Sequence, residues 1–210
     1  MTIVLSVLCV LLKVMYGFLT PMQQRVVVEV GGANPSELAA ALAAPDIDWS
    51  GLGWPRLVLA LFIHSSWLHL LGNLAYLWVF GIPVERRLGP VSLALVFLLG
   101  GVLAHVFVAL RLPQLNTSVI GASGAVSAVV GAYLGLFPRG RIGLYLPLGM
   151  YVQFTRVPAL LVIGSWFSLQ LVYSAIVPIS GAMAWWMHLA GFALGLIFAL
   201  LARAKDQLGF

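Results

Sequence analysis

The sequence predicts an all-α membrane protein, a bundle of six transmembrane helices with a long outer loop between helices 1 and 2. Composition is the first observation: 62% of the 210 residues are hydrophobic and only 8% are charged, whereas a soluble domain carries roughly 25% charged residues. The mean hydropathy of +1.06 agrees. The apolar runs are about 20 residues long, which suits membrane-spanning helices and is twice the length of a barrel strand.

The cysteine count and the charge distribution argue against disulfide-bonded, cysteine-metal and nucleic-acid-binding proteins. The single cysteine, Cys9, leaves no intrachain disulfide and no cysteine-based metal site. The net charge of +5 is compatible with nucleic-acid binding, but the basic residues lie in short loops, where membrane orientation and anionic lipid headgroups explain them better. We expect one transmembrane domain over residues 1–210, with membrane lipid as a partner and with no nucleic acid, metal or cofactor.

Residues 2–19 form the first predicted span. A cleaved signal peptide is the alternative interpretation. The run lacks a basic amino-terminal region and a small-x-small cleavage site, so a retained helix is favoured. Lys13 lies inside this run, where a lysine costs a few kcal/mol. We therefore expect Lys13 either to reach the membrane surface or to meet a buried partner.

A long connection, residues 20–56, follows the first span. It holds four of the six acidic residues, namely Glu29, Glu37, Asp46 and Asp48. Its apolar stretch 36–44 predicts a short interfacial or re-entrant helix, because nine residues cannot cross a bilayer. So large a loop in so small a membrane protein is more often functional than a plain connector.

Five further spans are predicted, at residues 63–82, 91–110, 119–137, 157–177 and 183–202. The connections between them are a tight charged turn at 83–89, an exit loop at 111–119, a basic loop at 138–156 and a break at 178–182. The basic loop contains a short apolar stretch that suits the membrane interface.

Lysine and arginine residues predict the orientation of the bundle. Six spans place both termini on one side, and seven basic residues lie on that side: Arg86, Arg87, Arg139, Arg141, Arg156, Arg203 and Lys205. The opposite side has three: Arg25, Arg56 and Arg111. By the positive-inside rule, both termini are cytoplasmic and the long loop faces outwards.

Ser123 carries the first candidate chemistry. A lone serine in a membrane helix is ordinarily an N-cap or a packing residue. Here Gly121 and Gly124 flank it, which exposes the hydroxyl near a helix start, where free backbone N–H groups favour an oxyanion. His188 in span six fits the general base of such a nucleophile, although alone it is more often a buried structural histidine.

Two further polar residues lie at a similar depth. His69 and Asn73 are four residues apart, on one face of span two, and they can donate hydrogen bonds to one point as oxyanion donors do. With a helical rise of about 1.5 Å per residue, Ser123, His188, His69 and Asn73 lie roughly 5–15 Å below the outer surface. Polar groups at that depth are costly and usually functional.

The remaining polar residues limit the chemistry. His64 and His105 are interpreted as structural. No acidic residue lies in any predicted span, so a serine hydrolase here would use a Ser-His dyad rather than a triad. The same absence excludes an aspartyl intramembrane protease, and the sequence has no H-E-x-x-H motif. Small residues such as Gly191 and Gly195 recur at helical spacing and predict close packing of spans four and six.

Three motifs resemble those of the rhomboid family of intramembrane serine proteases, over about residues 64–195. Span two contains H-x-x-x-x-H-x-x-x-N, span four G-x-S-G and span six H-x-x-G-x-x-x-G. The matching residues are His64, His69, Asn73, Gly121, Ser123, Gly124, His188, Gly191 and Gly195. The resemblance implies a six-helix rhomboid-like bundle with Ser123 as nucleophile and His188 as base. It also implies that Asn73, His69 and the Ser123 N–H hold the oxyanion.

The sequence departs from the family pattern in three places. A proline splits the Trp-Arg pair of the outer loop, which reads Trp54-Pro55-Arg56. Ser127 stands where some members have a tyrosine stacked on the catalytic histidine, so Trp185 and Trp186 are the candidates for orienting His188. Met187 precedes the histidine, where a small residue is common.

We therefore expect an intramembrane serine endopeptidase that cleaves peptide bonds in or next to transmembrane segments of a membrane-protein substrate. Substrate would enter past span five or residues 178–182, and Ala122 and Gly124 favour a small residue before the scissile bond. A bacterial inner membrane location follows from the resemblance alone. The alternatives are a rhomboid-fold pseudoprotease that binds membrane proteins, and a small transporter or channel, which would need polar residues along a path.

Overall fold

A computed structural model of the protein describes residues 1–44, 53–148 and 151–208. The described chain is a helical bundle with one β-hairpin. In order, its elements are α1 (Thr2–Gly17), α2 (Pro21–Gly31), α3 (Pro35–Ala43), α4 (Trp54–Ala60), α5 (Trp67–Tyr76), a π-helical turn (Leu77–Gly81), α6 (Ile82–Leu88), α7 (Pro90–Arg111), α8 (Ser123–Leu136), β1 (Arg141–Leu148), β2 (Tyr151–Pro158), α9 (Ala159–Ile176) and α10 (Pro178–Leu208).

Four helical segments are long and apolar enough to cross a membrane: Trp67–Leu88, Pro90–Arg111, Ala159–Ile176 and Gly181–Lys205. Helices α1 and α8 are also apolar but shorter. The protein is thus an integral membrane protein with a mostly helical fold. The predicted outer-loop residues Asp46 and Asp48 and the end of the carboxyl-terminal tail lie outside the described residues.

Residues 138–156 correct the all-α prediction, because they do not form a plain loop. β1 and β2 pair antiparallel from Arg141↔Pro158 to Leu148↔Tyr151. The stretch is rich in aromatic and β-branched residues, which favour a pleated, half-buried surface. Ile142 is buried against the bundle, so the base of the hairpin belongs to the fold.

Two predicted breaks are wrong. The charged turn at 83–89 is helical up to Leu88, because the π-helical turn carries α5 directly into α6, and the chain reverses only at Gly89, whose φ is 85°. Pro83 lies just after the π-helical turn, so its missing N–H falls where the regular helical hydrogen-bond pattern is already interrupted. The break at 178–182 is reduced to Val177, since α10 begins at Pro178.

The connection 20–56 is folded rather than a simple loop over its described part. The predicted helix 36–44 is confirmed as α3. Helix α2 was not predicted, although Thr20 and Gln23 form a capping box at its start. Arg56 on α4 holds the segment together by donating to the Glu37 carboxylate at 2.6 Å, to the Glu29 carbonyl at 2.6 Å and to the Gly32 carbonyl.

Helix α1 is attached to the bundle by polar contacts at both ends. The amino terminus pairs with Glu85 of α6, and the Thr2 hydroxyl donates to the same carboxylate at 2.7 Å. Lys13 is buried and donates to the Ser65 carbonyl at 2.7 Å. Of the two expectations for Lys13, the buried partner is therefore correct.

Helix α8 is the centre of the bundle, and nearly all of its residues are buried. It packs along α10 with the backbones in contact. A Cβ added to Gly191 would lie 2.1 Å from the Gly124 carbonyl oxygen, and one on Gly195 would lie 1.8 Å from the Ala128 carbonyl oxygen. Glycine is needed at both positions, as the small-residue spacing predicted.

Candidate active site

Ser123 is the first residue of α8, whereas the predicted span begins four residues earlier, at 119. The chain enters the helix in extended form, and Val119 makes a backbone bridge with Ala33. Gly121 turns the chain with a φ of 117° and donates its N–H to the Ala60 carbonyl at 2.8 Å. The first-turn N–H groups of α8 have no intrahelical partner, so the Ser123 hydroxyl stands beside an electropositive helix start.

Gly121 is required for a second reason, which is space. A Cβ at this position would lie 2.5 Å from Cε1 of His69. The positive φ already disfavours any side chain here. The glycine therefore lets the His69 ring lie directly against the turn that precedes Ser123.

One pocket of about 210 Å³ brings together the four residues singled out in the sequence, His69, Asn73, Ser123 and His188. It is also lined by Leu68, Gly72, Tyr76, Val126 and Trp166. These residues come from α5, α8, α9 and α10, so the site exists only in the folded bundle. The lining is mainly apolar apart from the four polar side chains, as is usual for a binding site with a few placed polar groups.

His188 is held from α9, by residues that the sequence analysis did not name. Its Nδ1–H donates to the Gln170 side-chain oxygen, which leaves Nε2 buried and without a hydrogen-bond partner among the described residues. The Trp166 ring packs beside the imidazole, with centroids 5.3 Å apart and planes at 37°. An amide oxygen on Nδ1 selects the tautomer whose Nε2 lone pair is free to accept a proton.

The two tryptophans that the sequence suggested for orienting His188 do not contact its ring. Trp185 packs edge-on against Phe167, with ring centroids 5.9 Å apart. Trp186 packs against Phe107, and the Arg111 Cζ lies 4.4 Å from the Trp186 ring centroid. Trp186 is two residues from His188 and so lies on another face of α10, whereas Trp185, three residues away, packs against Phe167 of α9 instead. Gln170 was recognisable as the one amide in the apolar run 157–177, since polar groups in membrane helices usually have a function.

Two residues that differ from the family pattern, Met187 and Ser127, lie next to Ser123 in the structure. Ser123 Oγ lies 3.8 Å from the thioether sulfur of Met187, a weak acceptor. Ser127, at the position of the family's tyrosine, is fully buried and donates its hydroxyl to the Ser123 carbonyl at 2.7 Å. It does not touch His188, whose aromatic neighbour is Trp166 of α9 instead.

The predicted oxyanion donor Asn73 is supported by His64. Asn73 Nδ2 donates to His64 Nε2 at 3.0 Å, and His64 Nδ1 donates to the Phe62 carbonyl at 3.1 Å. His64 lies in the loop before α5, not on a face of the second span, and desolvation by burial lowers its pKa to about 4. The neutral ring therefore accepts from Asn73 on Nε2, and the second Nδ2–H of Asn73 is left for another acceptor.

The two other predicted groups differ in their surroundings. His69 packs edge-on against His64, with ring centroids 5.3 Å apart. His105 is buried in α7, away from the pocket lining, and its Nε2 has no partner among the described residues. In the part of the chain that the structure describes, no group of three or more His, Cys, Asp or Glu side chains is placed to hold a metal ion.

Comparisons with known proteins indicate the family of the chain. A family model described as Rhomboid domain matches residues 52–205. The chain is 44% identical over 73 residues to Rhomboid-like protein 11, chloroplastic, of Arabidopsis thaliana, which covers 35% of this chain and 26% of that protein. It is 37% identical over 79 residues to RHOMBOID-like protein 6, mitochondrial, of the same plant, covering 38% and 25%.

A longer match is to the human Presenilin-associated rhomboid-like protein, mitochondrial, at 25% identity over 144 residues, 67% of this chain and 35% of that protein. In each of these comparisons the chain spans about a quarter to a third of the relative's length.

Proposed function

The chain belongs to the rhomboid family, and on this premise we propose that it is an intramembrane serine endopeptidase. It would use a Ser-His dyad to cleave peptide bonds in or next to transmembrane segments of membrane proteins. The observation that carries the proposal is the shared pocket of Ser123, His188, His69 and Asn73, in which His188 Nε2 is unpartnered among the described residues.

The proposal includes the architecture and location. The two shorter apolar helices, α1 and α8, would complete the four candidate spans to six. Residues 1–210 would form one transmembrane domain with both termini cytoplasmic, in a bacterial inner membrane. The excess of arginine on the side of the termini supports this orientation.

In the first chemical step, Ser123 Oγ attacks the scissile carbonyl as its proton passes to His188 Nε2. The Gln170 oxygen stabilises the resulting imidazolium through Nδ1–H. The tetrahedral oxyanion accepts hydrogen bonds from the Ser123 N–H, the free Asn73 Nδ2–H and the His69 ring. His188 then gives the proton to the leaving amine, and water hydrolyses the acyl-enzyme by the same route.

Substrate selection would follow from the shape of the site. Ala122 and Gly124 flank the nucleophile, and Gly124 is packed against Met187 and Ala104, so a small residue before the scissile bond is favoured. Helix α9 has only Ala159 and Ile163 buried, which supports entry of the substrate segment beside it. Cleavage of a substrate series varied at that residue would contradict the idea if bulky residues were cut best.

A pseudoprotease that binds membrane proteins is the second candidate. The observation in its favour is that the Ser123 hydroxyl contacts the Met187 sulfur, at 3.8 Å. A nucleophilic Ser123 must rotate about χ1 from that sulfur towards His188. A pseudoprotease needs no such rotation.

The test is cleavage of a model transmembrane substrate by the purified, reconstituted protein. Wild type is compared with Ser123→Ala and His188→Ala, and with Ser168→Ala as a control on the exposed side of α9. We expect cleavage by wild type and the control only. Equal cleavage by all four proteins would mean that the dyad is not responsible. If wild type does not cleave, failure of a fluorophosphonate probe to label Ser123 would favour the pseudoprotease.

A further inference from the structure

A basic cavity lies at the end of the bundle where α8 finishes, far along the helix from Ser123. It measures about 690 Å³ and is lined by Phe137, Pro138, Arg139, Gly140 and Arg203. Arg203 of α10 donates to the Gly135 carbonyl at 2.8 Å and is fixed there. Arg139 is exposed, and none of the described residues that line the cavity is acidic. The cavity therefore presents two guanidinium groups to the exterior.

The hairpin extends this surface. Its register places Arg141, Tyr145, Phe154 and Arg156 on one face, since Tyr145 pairs with Phe154 and Gly143 with Arg156. Tyr145 is 73% exposed and Phe154 is 51% exposed, with ring centroids 5.2 Å apart. The opposite face carries Ile142, which is buried against the bundle. One face of the hairpin is thus anchored, and the other presents two aromatic rings flanked by arginines.

The position of the hairpin decides what this face meets. It connects α8 directly to α9, and α9 is one of the candidate spans. Its base must therefore lie at a membrane surface. Aromatic rings with adjacent arginines are the side chains that favour the headgroup layer, because each has an apolar body and a polar or charged tip. If this face were in water, the exposed rings would form an apolar surface patch, which is unfavourable unless a partner covers it.

We propose that the cavity of Arg139 and Arg203, together with the outer face of the hairpin, is a binding surface for anionic phospholipid headgroups. The phosphate is held by the two guanidinium groups, which are suited to bidentate hydrogen bonding. Tyr145 and Phe154 lie among the headgroups and upper acyl chains, with Arg141 and Arg156 beside the phosphates. The expected ligand is an anionic lipid because every charged side chain named on this surface is an arginine. The inference does not depend on the protease activity.

The first test is lipid retention in native mass spectrometry. The protein is released from nanodiscs that contain equal amounts of anionic and zwitterionic phospholipid. We expect wild type to retain anionic lipid preferentially. Each basic residue near an anionic surface contributes about 1 kcal/mol, or about fivefold in binding. Arg139→Gln combined with Arg203→Gln should therefore reduce that preference by roughly 25-fold.

Two controls make the result specific. Arg139→Lys combined with Arg203→Lys keeps the charge but loses the bidentate geometry, so it should retain clearly more of the preference than the Gln pair and less than wild type; this separates loss of charge from loss of folding. Arg25→Gln removes an exposed charge at the other end of the bundle and should change nothing. Equal retention by wild type and the double Gln variant would overturn the proposal, as would an equal loss in Arg25→Gln.

The second test measures the depth of the hairpin face. In a Cys9→Ala background, a nitroxide label is placed at Phe154→Cys, and at Gln153→Cys on the opposite face as the matched position. In anionic nanodiscs we expect the label at 154 to be relaxed more by oxygen than by a water-soluble nickel complex, and the label at 153 to show the smaller ratio. Greater access of nickel at 154 would mean that the face lies in water, and the proposal would fail.

Discussion

Replacing Gln170 by leucine tests the assignment of His188 most directly. The leucine fills a similar volume but removes the oxygen that accepts from His188 Nδ1–H. The buried imidazole N–H is then left without its acceptor, in the ground state and more severely when the ring is protonated. Because the Gln170 Nε2 is itself buried without a partner among the described residues, leucine also removes an unsatisfied donor.

The two changes have opposite effects on stability: loss of the His188 hydrogen bond destabilises the fold, and loss of the unpartnered amide stabilises it. A change in kcat can therefore be distinguished from a change in stability. A hydrogen bond to a charged group contributes about 1.5–3 kcal/mol, against about 0.5–1.5 kcal/mol for a neutral pair. The loss is therefore about 1–2 kcal/mol larger when His188 is protonated in the transition state, and kcat should fall by roughly 5- to 30-fold. The KM should be unchanged, because Gln170 does not line the pocket. The free energy of unfolding should not decrease, because loss of the unpartnered amide offsets loss of the hydrogen bond. A residue with only a structural role would give the reverse pattern, with lower stability and little change in kcat.

The assay is steady-state cleavage of a transmembrane substrate in proteoliposomes, with thermal unfolding measured on the same preparations. Gln170→Glu keeps an oxygen acceptor on Nδ1 and should retain most of the activity. Gln114→Leu, an exposed glutamine between α7 and α8, is the matched control and should behave as wild type. The reasoning is refuted if Gln170→Leu retains full kcat, or if Gln170→Glu loses as much activity as the leucine variant.

The remaining predictions concern packing around the site. Gly195→Ala should destabilise the protein by about 3 kcal/mol or more, because its Cβ would lie 1.8 Å from a backbone carbonyl oxygen of α8; Gly164→Ala, with open space around it, should leave the unfolding temperature unchanged or higher. Gly121→Ala should abolish fluorophosphonate labelling while the helices still form, because the Cβ meets the His69 ring at 2.5 Å and the φ of 117° is strained. Arg56→Met should lower the free energy of local opening in α2 and α3 by about 1–2 kcal/mol, because three acceptors lose their donor. Hydrogen exchange there should become faster, and unchanged protection would contradict this.

The candidate site was recognisable from the sequence because polar groups are rare in an apolar chain. Ser123, His188, His69 and Asn73 are conspicuous because so few polar side chains lie in the apolar runs, and helical rise alone predicts one depth for them. The small residues of α8 and α10 likewise predicted the close contact of these helices. The structure brings the four side chains to one pocket, while their catalytic roles remain predictions.

Local sequence signals misplaced several boundaries. The charged residues and Pro83 predict that the second span ends at residue 82, whereas a π-helical turn carries the helix on to Leu88. The start of α8 at Ser123 depends on the extended residues before it, which bridge to Ala33. Such features are decided by pairing between distant segments, and hydrophobic periodicity does not report them.

Composition alone determined that this is a helical membrane protein, and spacing predicted a serine and a histidine at one depth, because the bilayer restricts both the length and the polarity of each segment. The partners of the buried polar groups were decided only by the tertiary structure. Lys13 bonds to the Ser65 carbonyl and His188 to Gln170, contacts that join residues 52 and 18 positions apart. A buried donor takes whichever acceptor the packed helices bring within about 3 Å, and that choice exists only after the helices have packed.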